Sequence, residues 1–163
     1  MIRPINPLEP TELAWVAARM RLTLIEVLGV ERGQAMYTLD WLERRVAWHL
    51  DPEQCVGEVF LAEDPGGAIV GHTIVRIEVG PDGLPFGLFS TTYVEPAARN
   101  HAVATALLDR GEGWMRDHGL QAAMTHTSPT NTKLKNLYLG RGYNVVATTR
   151  DFITLRKAMG AEP

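Results

Sequence analysis

Thr92-Tyr93-Val94-Glu95-Pro96-Ala97-Ala98-Arg99-Asn100-His101-Ala102-Val103-Ala104-Thr105-Ala106-Leu107-Leu108 is the stretch on which the fold of this chain turns. Phe86 to Val94 is rich in β-branched and aromatic residues and predicts a strand, which Pro96 closes. From about Arg99 to His118 the apolar residues fall at helical spacing: Val103, Leu107 and Trp114 share a stripe with Ala104, Leu108, Gly111 and Met115. Gly119 is a natural stop. A strand that runs through a tight turn of small residues into a long helix presents unsatisfied N–H groups and the positive end of the helix dipole. That combination suits phosphate oxygens. Small residues at 102 and 104 would let a bulky diphosphate approach the backbone, and Arg99 would add a full positive charge. The alanines serve helix propensity equally well, so spacing alone leaves a purely structural turn open.

Outward from this stretch the elements alternate. Towards the N-terminus, Ala68 to Val79 and Val56 to Glu63 read as the arms of a hairpin about the turn Asp64-Pro65-Gly66-Gly67. Before it come two helices. One carries Leu13, Val16, Ala17, Met20 and Leu24 on a single face. The other carries Ala35, Leu39, Leu42 and Val46, and Gly29 and Gly33 break the chain between them. Ile2 to Ile5 is a short first strand. Towards the C-terminus, Ala122 to Thr127 is a strand. A helix carrying Leu134, Leu137 and Tyr138 follows the caps of Ser128 to Asn131, and Val145–Thr149 and Phe152–Arg156 form a closing pair. The order β-α-α-β-β-β-α-β-α-β-β predicts one α+β domain over 1–163, a central mixed and mostly antiparallel sheet flanked by helices.

Composition narrows the function. A length of 163 residues with 45% apolar and 21% charged side chains fits an ordinary globular domain. The net charge of -3 argues against a general binder of nucleic acid or anionic membranes. The lone Cys55 forms no internal disulfide and is too little for a structural zinc site, so a plain thiol and no metal are expected. With no long apolar run and no leader pattern at MIRPINPLEP, a cytoplasmic location is the default expectation.

Val94-x-Pro96-x-x-Arg99-x-x-Ala102-Val103-Ala104-x-x-Leu107-Leu108 resembles motif A of the GNAT superfamily of N-acetyltransferases, V-x-P-x-x-[RQ]-x-x-G-x-[GA] followed by two apolar residues. About thirty residues on, Asn131-x-x-Leu134-x-x-Leu137-Tyr138-x-x-x-Gly142-Tyr143 is similar to the family's motif B, N-x-x-A-x-x-L-Y-x-x-x-G-[FY]. The element order matches that family's fold over nearly the whole chain. The resemblance implies a GNAT-like fold and transfer of an acetyl group from acetyl-coenzyme A to a primary amine, by direct attack in a ternary complex. It implies that Tyr93 and Val94, at the end of the strand, pair with the pantetheine arm. The backbone of Arg99, Asn100, His101, Ala102, Val103, Ala104 and Thr105 would hold the pyrophosphate. Asn131 would hydrogen-bond the coenzyme arm, and Tyr138 would line the cleft and protonate the departing thiolate.

Three positions depart from the pattern. The first motif glycine is Ala102, expected to sit without strain in helical φ/ψ, and the motif B alanine is Leu134. Many relatives carry a glutamate where this chain has Leu88, which removes the usual general base. His72, Glu78, Ser90 and His126 lie on strands near the expected cleft. His126 is the strongest base among them, because imidazole titrates near neutrality, and relay through ordered water is an equal alternative. The acceptor is a small-molecule or protein amine of unspecified class, and a homodimer is compatible with the sequence. The rival function is a non-catalytic coenzyme A-binding regulatory module of the same fold, favoured by Ala102 and Leu88 and disfavoured by Tyr138 and Asn131.

Overall fold

β-branched and aromatic runs at mid-chain and helical stripes on either side assemble into one seven-stranded sheet with helices on both faces. The computed structural model describes residues 1–99 and 102–160. The elements are β1 (Ile2–Pro4), α1 (Pro10–Leu28), α2 (Val30–Met36), α3 (Leu39–Leu50), β2 (Gly57–Glu63), β3 (Ile69–Val79), β4 (Pro85–Val94), α4 (Val103–Asp117), β5 (Ala122–Thr127), α5 (Thr132–Gly140), β6 (Asn144–Thr148) and β7 (Ile153–Ala158), with a single 3-10 turn at Pro96–Ala98. Strand order is β1-β2-β3-β4-β5-β7-β6. Every pair is antiparallel except β4–β5, which α4 joins as a crossover.

Two cores hold the layers. On one face, Leu107, Leu108 and Met115 of α4 and Tyr138 of α5 pack against Val75 and Phe89 of the sheet. On the other, Val16, Ala17 and Met20 of α1 and Leu42 and Val46 of α3 pack against Val59, Leu61 and Ile74. Each such leucine, fully buried, contributes about 1.5–3 kcal/mol. Among the described residues, α1, α2 and α3 make no contact of comparable extent with β5, β7 and β6.

The fold departs from the sequence reading in three places. The expected second helix is two helices, because Thr38 starts a new one by accepting Trp41 N–H at 3.0 Å through Oγ1. Gly33 breaks nothing. It sits inside α2 against the Ile25 backbone, where a Cβ would lie 2.6 Å from the Ile25 Cα, so it permits the close crossing of α1 and α2. The long helix begins at Val103 rather than at Arg99, after the 3-10 turn and a left-handed residue.

Candidate functional site

β4 and β5 run parallel but stay paired for only three residues: Gly87 with Ala123, Leu88 with Met124, and Phe89 with Thr125. Beyond that point β4 continues to Val94, still paired with β3 on its other edge, and β5 continues to Thr127, paired with β7. The strands therefore fork, and the β5-facing edge of Ser90–Val94 has no strand beside it. A bulge marks the branch, where Ile74 pairs with Thr91 and Val75 with Phe89, leaving Ser90 over. An unpaired strand edge inside a fork is a template for an extended, amide-bearing ligand.

Tyr138 closes one side of the fork. It is 1% exposed, packed edge-on to Phe89 and to Tyr143, with ring centroids 5.9 Å and 4.9 Å away. Burial pushes its phenol up to about 12, against a partial lowering by the hydroxyls of Thr125 on β5 and Thr92 on β4. The phenol thus lies where the two strands part, and it is protonated at neutral pH.

The end of the fork meets the start of α4. Among the described residues no side chain caps that helix, and the first bond to close a turn of it is Ala106 N–H to Ala102 O at 3.0 Å, so the N–H groups of Val103, Ala104 and Thr105 have no acceptor among those residues. Ala102 has φ 61° and ψ 14°, which is left-handed. The expectation of an unstrained helical alanine is therefore overturned: a Cβ here costs about 1–2 kcal/mol that glycine would not. Arg99 also differs from expectation. Its Nε donates to Val94 O at 2.8 Å and its Nη2 pairs with Glu26 of α1 at 2.9 Å, so the guanidinium first ties the strand end to α1. Asn100 and His101 lie outside the described residues.

Tyr93 is buried on the α1 side against His72, and Val94 is buried against α4. Only their backbones can serve an occupant of the fork. Asn131 caps α5, its Oδ1 accepting Leu134 N–H at 3.3 Å, which leaves its side-chain NH₂ for a ligand. With Glu26 and Val27 of α1 and Lys133 it lines a pocket of about 240 Å³.

The base candidates separate cleanly. His72 is fully buried, with one nitrogen on Thr91 Oγ1 at 3.0 Å, and burial followed by the charge of Arg19 drops it to about 3. It is a core residue. Ser90 Oγ accepts from Arg76 Nη1 at 3.2 Å, and Glu78 pairs with Arg76 Nε at 2.5 Å. His126 remains. It is exposed, stands beside Phe152 at 5.4 Å, and uses Nδ1 for Thr154 Oγ1 at 2.8 Å, with no partner for Nε2 among the described residues. Desolvation and then the charge of Arg76 hold it below the usual imidazole range, so it is neutral at pH 7.

A sequence model of the acetyltransferase (GNAT) family matches residues 19–143. The chain belongs to that family. The GNAT chain is 30% identical over 90 residues to mycothiol acetyltransferase of Propionibacterium freudenreichii, a match that covers 55% of this chain and spans 28% of that protein's length. Among solved structures it resembles the ribosomal-protein-alanine N-acetyltransferase of Brucella melitensis (TM-score 0.72, 16% identity, 98% of this chain and 99% of that one). It also resembles the paia N-acetyltransferase of Thermoplasma acidophilum in complex with coenzyme A (TM-score 0.72, 12% identity, 97% and 99%). A third likeness is Naa20 of Chaetomium thermophilum with a bisubstrate analogue (TM-score 0.69, 18% identity, 98% and 86%). These likenesses concern the fold. In this GNAT chain sequence reasoning did not find Thr92, Thr125, His49 or Arg76 as site residues. The threonines sit in ordinary strand patterns, and His49 and Arg76 meet across 27 residues of chain, so no local signal joins them.

Proposed function

We propose that the chain is a single-domain acetyl-coenzyme A-dependent N-acetyltransferase that acts on a primary amine by direct attack in a ternary complex. The observation that carries this reading is the fork itself: a free β4 edge with a protonated phenol on one face, a free imidazole on the other, and an uncapped helix start at its end. These features fit a long ligand bearing amides and a diphosphate. The edge of Ser90–Val94 offers backbone partners to an extended arm, and the N–H groups of Val103 to Thr105 face anionic oxygens. The coenzyme supplies an activated thioester, and the chain supplies position and protons. Backbone N–H at the strand end polarises the carbonyl.

His126 and Tyr138 lie on opposite faces of the sheet, one beside Thr154 and one beside Phe89. The amine approaches from the His126 side and the sulfur leaves towards Tyr138. The new C–N bond forms as the C–S bond breaks, His126 Nε2 takes the proton of the amine, and Tyr138 returns one to the thiolate. A raised phenol is the protonated form that this role requires. The rival, a coenzyme-binding module without turnover, draws on Leu88, which is buried and brings no carboxylate, and on the strained Ala102. Thiol release with an amine panel separates the two, with thermal shift by acetyl-coenzyme A as the binding readout. A coenzyme shift without thiol release on any amine favours the module, and no shift at millimolar coenzyme removes both. No helix among the described residues is long and apolar enough to cross a membrane, and a cytoplasmic location and a homodimer are proposals of the same standing.

A further inference from the structure

Arg76 of β3 is held on several sides. Its Nε pairs with Glu78 Oε1 at 2.5 Å, and Nη1 donates to His49 Nε2 at 2.9 Å and to Ser90 Oγ at 3.2 Å. His49 can accept because its Nδ1–H is already donated to the Arg45 carbonyl at 2.9 Å, so Nε2 keeps its lone pair. Burial and the charge of Arg76 keep His49 neutral, at about 4. Among the described residues Arg76 Nη2 makes no such bond.

A second cation stands beside it. The guanidinium carbon of Arg45 lies 3.9 Å from the Trp48 ring centroid, and that of Arg76 lies 5.8 Å from the same ring. Glu78, with its side chain 39% exposed, is the one carboxylate paired with Arg76 among the described residues, and Arg45 has no ion pair there. Burial and the charge of Arg76 both lower Arg45. Two partly buried guanidiniums thus flank one indole ring with one ion pair among the described residues, that of Arg76 with Glu78, in a chain whose net charge is -3. A desolvated surplus of positive charge is unfavourable unless an anion completes it.

The position of this surplus relates it to the reaction. Arg76, Leu88, Met124 and Arg156 are successive register partners across β3, β4, β5 and β7. Two residues further along their strands, and on the same face, lie Ser90 at the fork and His126 beside it. A small molecule whose amine reaches His126 therefore has Leu88 beneath it and Arg76 within its length.

We propose that Arg76, backed by Arg45, anchors a carboxylate carried by the acceptor, so that the acceptor is an amine that is also an acid. Glu78, His49 and Ser90 are positioning residues that fix the plane of the guanidinium. This inference rests on the acetyltransferase reading above.

The test uses short ω-amino acids, from β-alanine upward, each paired with its primary amide. Thiol release is measured for the wild type, Arg76→Gln and Arg45→Gln, and thermal shift by acetyl-coenzyme A is recorded for each protein. The wild type is expected to favour the best acid over its amide in kcat/KM by about tenfold or more, because a site built for a charged partner discriminates strongly against its absence. Arg76→Gln should bring that ratio close to one by raising the KM of the acid, with the KM of the amide little changed. Arg45→Gln should lower the ratio part of the way, and it carries the test if Arg76→Gln does not fold. Equal efficiency for acid and amide in the wild type, a ratio that survives substitution of Arg76, or a panel without turnover overturns the proposal. A coenzyme thermal shift retained in that last case leaves the acetyltransferase reading standing, and its absence removes both.

Discussion

The two halves of β4 share one neighbour and differ in the other. Both pair with β3, but Gly87–Phe89 is sealed against β5 while Ser90–Val94 faces an open fork. The sealed half is closed by contacts that leave no room for a methyl group. A Cβ on Gly87 would strike the Met115 side chain, and one on Gly111 of α4 would strike the Phe89 ring. The open half instead places hydroxyls on either side of a gap, Thr92 from one strand and Thr125 from the other, with the Tyr138 phenol between. Rigidity on one side of the branch holds the reactive geometry on the other.

The comparison breaks first at Tyr138. Tyr138→Phe keeps the ring packed on Phe89 but removes the proton donor, so turnover should fall by roughly 10- to 10⁴-fold with coenzyme affinity little changed. Steady-state thiol release, with chemistry shown to be rate-limiting, is the measurement; turnover at the wild-type level would make Tyr138 part of the seal instead.

On the opposite face, His126→Gln should lower turnover at pH 7 by roughly 10²-fold. The sign of the pH effect follows from its lowered range. Only neutral imidazole accepts a proton, so the wild-type acid limb of kcat should lie below pH 6.5, activity being lost as pH falls through it. An acid limb unchanged in the variant would assign the proton to water.

The sealed half is sharpened by Gly111→Val, which overpacks Phe89 and should destabilise the fold by about 1–3 kcal/mol. The loss is read as a lower midpoint in urea at constant m-value, and an unshifted midpoint would mean that the seal gives way easily.

The smallest effect belongs to Ala102, where open strand meets helix. Ala102→Gly relieves about 1–2 kcal/mol of left-handed strain but loosens the unfolded chain by about 0.4–1 kcal/mol. A net gain of at most about 1.6 kcal/mol should appear as a slightly higher Tm. A lower Tm would show that the surroundings, not the backbone, decide the cost at this position.

The sequence was informative where a periodic signal was local. The strand that ends at Val94, the body of α4, the hairpin of β2 and β3, and the cap at Asn131 are readable, because propensity, spacing and capping act over a few residues. Helix starts were less readable. Thr38 and Ala102 each stop a helical pattern by local backbone geometry, which hydrophobic spacing does not report. Ala102 is the sharper case, since alanine in a helix-rich stretch gives no hint of positive φ. On the α1–α3 face, nothing in the strand pattern singles out Arg76. Its burial beneath α3 and its bonds to His49, Glu78 and Ser90 exist only once helix and sheet have met.

β1 carries a consequence for how the chain is made. Ile2 pairs with Ala62 and Pro4 with Phe60, and Met1 N–H₃⁺ reaches Glu63 O at 2.9 Å. β1 must wait for a strand synthesised some sixty residues later, with three helices between them. Closing so long a loop is entropically slow to repay, though each doubling of its length adds only about 0.6 kcal/mol. β1 is thus among the late contacts in folding, and a nascent chain halted before β2 carries a strand without a partner.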